Sequence, residues 1–172
     1  MPGYLLLIPL IIIRYPLLTS LNPTNAKRAI FLPEMFGWQK INYYIYQLAT
    51  LVMLVLPCFL KITLSTIWFY PGIVCFILAT TLSILSVIAY SKPDENGANY
   101  NGIYRYSRHP LYVAYFFYFL ACTLLLNSLA LFITLLILQV ATHGIILAEE
   151  VWCLATFGES YRLYTTKVRR YF

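Results

Sequence analysis

Five apolar runs, each about as long as a bilayer's hydrocarbon layer is thick, leave this chain little freedom of fold. A helix needs roughly 20 apolar residues to cross that layer. The runs fall at residues 4–21, 41–60, 66–90, 110–126 and 129–148. In lipid every backbone N–H and C=O must find its partner inside the structure, which a helix achieves within a single segment. Charge is scarce as well: 10% of the 172 residues are charged and 61% are apolar, whereas soluble domains carry roughly 25% charged residues. The expected fold is all-α: an integral membrane helical bundle with about five transmembrane helices and a C-terminal amphipathic helix. It reads as one membrane domain over residues 1–172. Residues 1–90 supply scaffold spans, and 91–172 supply a polar loop, a helical hairpin and the C-terminal helix.

The first run is interrupted by Pro9, Arg14 and Pro16. It is read as a span, or as a segment lying partly in the interface. It does not read as a cleavable leader, because no positive charge precedes it and no small-residue cleavage site follows. Basic residues then orient the bundle. With the C-terminus cytoplasmic, segments 22–40, 91–109 and 149–172 share that side. They hold Lys27, Arg28, Lys40, Lys92, Arg105, Arg108, Arg162, Lys167, Arg169 and Arg170, ten of the twelve basic residues, in line with the positive-inside rule. Trp38, Tyr43 and Tyr44 at one span end, and Trp68, Phe69 and Tyr70 at another, read as interfacial anchors.

The net charge of +6 belongs to short segments beside apolar runs, so it speaks for anionic headgroups rather than nucleic acid. Cys58, Cys75, Cys122 and Cys153 show no metal-ligand spacing and read as packed helix residues. With two His in the chain, no metal site is expected.

Spans four and five are separated only by Asn127 and Ser128, which predicts a tight antiparallel hairpin. That geometry returns Glu149 and Glu150 to the membrane face where Arg108 and His109 lie. Asn96-Gly97 and Asn101-Gly102 are turn signals that let the preceding loop fold back over the bundle. Pro110 suits a first helical turn, where its missing N–H costs nothing. Arg108 and His109 would then stand at a helix N-terminus, a natural seat for a carboxylate.

Glu149 and Glu150 are expected to begin the tail helix. There they either stabilise its dipole or receive a cation or hydroxyls. Gln139, His143, Ile146 and Glu150 share one helical face, and such polar stripes face the bundle interior or a wet cavity. His143 and Glu150 are the candidate catalytic bases, with a bonded structural His as the alternative for His143. The tail residues Trp152, Leu154, Phe157, Tyr161, Tyr164 and Val168 read as packing surface, and its basic residues as headgroup contacts.

These residues together form a pattern. It comprises Gly102 and Tyr104, then Arg108-His109-Pro110 with Tyr112, then Glu149-Glu150 with Leu154, Phe157, Gly158, Tyr161 and Tyr164. The pattern, over residues 91–171, resembles the superfamily of isoprenylcysteine carboxyl methyltransferases and phospholipid methyltransferases, integral membrane enzymes that use S-adenosylmethionine. The resemblance implies S-adenosylmethionine as cofactor and an amphiphilic or lipid-like methyl acceptor. It further implies cofactor contacts at Tyr104, in the stretch His109, Pro110, Leu111 and Tyr112, at Glu149, and in the loop at Asn96 and Asn99; Arg108, at the helix N-terminus, is expected to join them. The isoprenylcysteine branch carries an Arg four positions before Glu149, where this chain has Ile145. The loop also lacks the G-x-G of phosphatidylethanolamine methyltransferases. The acceptor therefore stays open among prenylcysteine, phospholipid amine, thiol and other lipid acid. Two rival readings are a non-catalytic protein on the same scaffold and a nicotinamide-dependent membrane reductase.

Overall fold

The computed structural model describes residues 1–23, 37–93 and 98–171. Lys27, Arg28, Asn96 and Gly97 lie outside the described residues. Five long helical segments follow one another: α1 (Gly3–Leu21), α2 (Trp38–Phe59), α3 (Phe69–Tyr90), α4 (Pro110–Leu126) and α5 (Leu129–Lys167). Four are long and apolar enough to cross a membrane, and α4 is a shorter apolar helix. At 17 residues, α4 spans about 25 Å, the lower limit for a crossing. The all-α membrane bundle expected from the apolar runs is what the chain forms.

The interrupted first run is helical throughout. Its path changes from 3-10 to α at Ile8, just before Pro9, then to a π-helical turn at Ile13–Leu17, and back to α. A proline inside a helix removes one N–H and collides with the carbonyl four residues back. Widening to π around Pro16 accommodates both faults without breaking the helix. Near Pro9, the Tyr118 hydroxyl of α4 donates to the Leu6 carbonyl at 2.6 Å, adding a donor where proline supplies none.

Loop pairings fix which helix ends lie together. At one end Gly3 N–H bonds Leu60 O, Ile62 N–H bonds Met1 O and Thr63 N–H bonds Leu125 O. At the other, the Asn22 amide donates to Ser91 O and Arg108 N–H donates to Arg169 O. The loop after α3 and the end of the chain therefore share a face, as the alternating spans predicted.

Helix packing follows residue size. On α3, Gly72, Ala79, Ser83 and Ser86 are buried, a small-residue face that lets α4 come close. The Ser83 and Ser86 hydroxyls return to carbonyls one turn back, so nothing polar is left over. On the other side α5 packs along α2. Asn42 of α2 donates to Ala141 O at 2.7 Å. Gly144 makes room for it, since a Cβ there would collide with the Asn42 amide nitrogen. Met53, Tyr118, Cys122, Leu131 and Leu135 form the centre of the core.

One expectation is met and refined, and one needs correcting. The α4–α5 hairpin does turn tightly, with Asn127 left-handed at φ 47° and the Ser128 hydroxyl accepting from Leu131 N–H. Its arms then diverge, because α4 follows the small-residue face of α3 while α5 follows α2. Nor does a tail helix begin at Glu149. Helix α5 runs through both acids and breaks only at Gly158, at φ 55° and ψ −129°, a conformation that side chains with a Cβ rarely adopt. The first-turn dipole role is thereby removed from Glu149 and Glu150, which lie mid-helix.

Gly144→Ala should destabilise the protein by ~1–3 kcal/mol, the usual range for overpacking. In a thermal melt in detergent the combined Asn42→Ala/Gly144→Ala variant should lose less than the two single losses added together.

Candidate active site

At the end shared by the loop and the chain terminus, a two-residue step in α5 faces the start of α4. His109 is the N-cap of α4, with Pro110 in the first turn, as the sequence predicted. The His109 backbone N–H donates to the Ser107 hydroxyl, and that hydroxyl in turn donates to Arg170 O. The imidazole stands between the two acids. Its Nε2 is 3.3 Å from Glu150 Oε1, and its Nδ1 is 3.7 Å from Glu149 Oε2.

The two carboxylates do different things. Successive residues on a helix point about 100° apart, at 3.6 residues per turn. Glu150 points inward and is buried. Arg108 Nη1 lies 3.1 Å from its Oε1, and Arg170 takes it by both oxygens, Nε to Oε1 at 3.0 Å and Nη2 to Oε2 at 2.8 Å. Burial alone would favour the neutral acid. The bonds from His109 and Arg170 and the charge of Arg108 outweigh it and hold the carboxyl at about 2. Glu149 stands at the rim, its side chain 25% exposed, and accepts a 2.5 Å bond from the Tyr112 hydroxyl. Here burial prevails over the bond from Tyr112 and the charge of His109, and the carboxyl is raised above its ordinary range.

The loop and the chain terminus form the outer wall. Gly102, at φ 59°, opens the 3-10 turn Gly102–Arg105, as the Asn-Gly turn signal predicted. This turn buries Tyr104. The Tyr164 hydroxyl donates to Tyr104 O at 2.6 Å, and its ring lies 4.7 Å from that of Tyr100. Two buried atoms of the site have no hydrogen-bond partner among the described residues: Asn99 Oδ1, an acceptor, and Arg108 Nε, a donor. Unmet polar atoms of this kind are costly, so they mark where a polar ligand would be welcome.

Between the diverging arms of α4 and α5 lies a cleft of about 250 Å3 lined by Tyr112, Val113, Phe116, Phe117, Gln139 and Tyr171. It is apolar apart from Gln139 and the two phenols. His143 stands on the exposed side of α5, and its Nδ1 is 2.7 Å from the Tyr171 hydroxyl. The stripe from Gln139 to Glu150 therefore winds from the cleft edge inward: Gln139 is half-buried, His143 is exposed, and Ile146 and Glu150 are buried.

The structure thus brings Tyr104, Arg108, His109, Pro110, Tyr112, Glu149 and Glu150 to one end of the bundle. Leu111 faces the opposite side, against Ile13, Leu18 and Val87. Asn99 lies in the loop wall, and Asn96 lies outside the described residues. Sequence reasoning missed Arg170, Tyr171 and Tyr164. It assigned Arg170 to headgroups and Tyr164 to packing, and only the Gly158 break hinted that the chain doubles back.

Comparison with known proteins gives a family. No curated protein and no solved structure gives a significant match. The family model for phospholipid methyltransferases matches residues 67–160, from just before α3 through both acids to just beyond the Gly158 break. That stretch is more than half of the chain, and on it the protein belongs to the phospholipid methyltransferase family.

Proposed function

We propose that the protein transfers a methyl group from S-adenosylmethionine to an amphiphilic acceptor that reaches the site from the bilayer. The observation that carries this reading is the meeting of Glu149 and Glu150 with Arg108 and His109, beside two unmet buried polar atoms. Arg108 Nε and the free N–H groups at the start of α4 suit the cofactor's carboxylate. Asn99 Oδ1 and the rim carboxylate of Glu149 suit its ammonium and ribose hydroxyls. The donor set and the acceptor set are complementary to this molecule at both ends. Bound there, S-adenosylmethionine supplies an electrophilic methyl on a sulfonium whose charge disappears as the methyl leaves.

The chain's own contribution is placement and exclusion of water. Phe116 and Phe117 give the cleft an apolar wall on which an acyl or prenyl chain can lie, aimed at Tyr112 and Glu149. Aligning two reactants in this way is worth about 7–11 kcal/mol in ideal cases. Glu150 is a poor base, with its proton affinity held low by two arginines and the bond from His109, so its part is to hold Arg108, His109 and Arg170 in register. An amine acceptor must shed a proton. Glu149, with its raised proton affinity, and His143 at the cleft edge are the groups able to take it. A cofactor dissolved in water and the excess of basic residues at this end both favour a cytoplasmic site.

The direct test is incubation of purified protein, in vesicles, with S-adenosylmethionine labelled on the methyl group. Label should appear in the lipid-soluble fraction. Label confined to water-soluble acceptors would refute lateral access.

Glu149→Ala should weaken S-adenosylmethionine binding by ~1.5–3 kcal/mol, the range for a bond to a charged group, or about ten- to a hundredfold. Lys167→Ala should leave it unchanged, with both followed by calorimetry. His143→Ala should lower turnover more than cofactor affinity; equal turnover would confine His143 to bonding Tyr171.

Glu150 gives a pH signature. Its folded carboxyl titrates near 2 instead of 4.5, so the unfolded chain takes up a proton that the folded one refuses. Its stabilising contribution is full above about pH 4.5 and is lost as pH falls towards 2. Glu150→Gln should remove that part of the acid destabilisation, read from melting temperatures between pH 5 and pH 2.5.

A further inference from the structure

Arg14 lies two-thirds of the way along the α1 crossing, inside the π-helical turn Ile13–Leu17. Ionised side chains within membrane helices are costly and are kept mostly where they serve a site, and π-turns concentrate at functional positions. The Arg14 guanidinium stands over the ring of Tyr115, 5.8 Å from its centroid. Tyr46 and Tyr112 are within its electrostatic reach, and so is Glu149. Helices α1, α2, α4 and α5 thus each send polar groups to one place within the bundle.

That place is rich in hydroxyls. Thr50 Oγ1 and Tyr115 Oη are buried in it, the Tyr115 hydroxyl against the Arg14 guanidinium. Thr50 is one turn beyond Tyr46 on α2, beside the Tyr46 hydroxyl. A guanidinium surrounded by hydroxyl donors is complementary to the oxygens of an anion. Tyr112 links this cluster to the lateral cleft: it is within electrostatic reach of Arg14 and lines the cleft. An amphiphile with its chain on Phe116 and Phe117 would bring its head towards Tyr112.

We propose that Arg14, with the hydroxyls of Tyr46, Thr50 and Tyr115, forms a subsite for an oxyanion, phosphate or carboxylate, carried by a membrane amphiphile. Its identity as the methyl acceptor rests on the function proposed above; the subsite does not. On that reading Arg14 is a specificity-determining residue, which selects acceptors carrying an anionic group.

The test is phosphorus NMR titration of dodecyl phosphate with protein purified in dodecyl maltoside. Binding should saturate, with dodecanoate displacing the probe while dodecanol and inorganic phosphate do not. Arg14→Gln should weaken dodecyl phosphate at least tenfold and Arg14→Lys only a few-fold. Tyr115→Phe, which removes a single oxygen and should fold normally, should weaken it about three- to tenfold. Absence of saturable binding by the natural protein overturns the subsite, as does unchanged binding by Tyr115→Phe or by a folded Arg14→Gln. Displacement by dodecanol or by inorganic phosphate at matching concentration overturns its preference for an anionic amphiphile. S-adenosylmethionine binding, measured separately on the natural protein, distinguishes the two proposals. Anion binding without cofactor binding sinks the methyltransferase reading alone, and cofactor binding without anion binding sinks the subsite alone.

Discussion

A single carboxylate, that of Glu150, draws side chains from three separate parts of the chain to one point. Arg108 comes from the end of a polar loop, His109 from the first position of α4, and Arg170 from beyond the Gly158 break. Each brings donors to a buried acid. Removing one partner from such a cluster leaves charge uncompensated in a poorly hydrated place, which is far costlier than losing an exposed pair. The network therefore works as a clamp. It closes the end of the bundle at which the hairpin arms have drawn apart and the apolar packing has run out.

The divergence of those arms is itself a consequence of residue size. Small residues along α3 attract α4, and the Asn42–Ala141 bond over Gly144 attracts α5 to α2. Neither arm can satisfy its own partner and also lie along the other. The resulting cleft is lined with aromatic side chains and opens beside the clamp. An apolar surface and a charged cluster thus open side by side, which a closed hairpin would prevent.

The spans were legible because their physics is local: an apolar run of the right length has few alternatives to a membrane helix. The start of α4 was legible for the same reason, since proline in a first turn after a polar residue is a local signal. What escaped was decided by tertiary structure. Nothing in the spacing of Arg170 or Tyr171 shows that the chain returns to Glu150 and His143. Arg14 reads as an interruption in an apolar run until α2 and α4 are seen to bring Tyr46 and Tyr115 to it. Glu149 and Glu150 looked like a helix start because acids are common there. The uninterrupted helix through them could be recognised only once Gly158, nine residues beyond Glu149, was seen to be the real break.

Adjacent acids on one helix turn can serve two purposes only if the helix continues through them. At a frayed start both carboxylates would turn back on free N–H groups and become equivalent. Inside α5 the fixed angle between successive residues drives Glu150 into the cationic clamp and leaves Glu149 at the rim with Tyr112. The clamp lowers the proton affinity of one acid, while burial raises that of the other. Two identical side chains thus acquire opposite characters, one an anion that holds the walls together and one a more readily protonated group at the rim beside Tyr112. Separation of this kind between neighbouring titratable groups is how a site assigns distinct roles to like residues, and here it follows from the position of a single glycine.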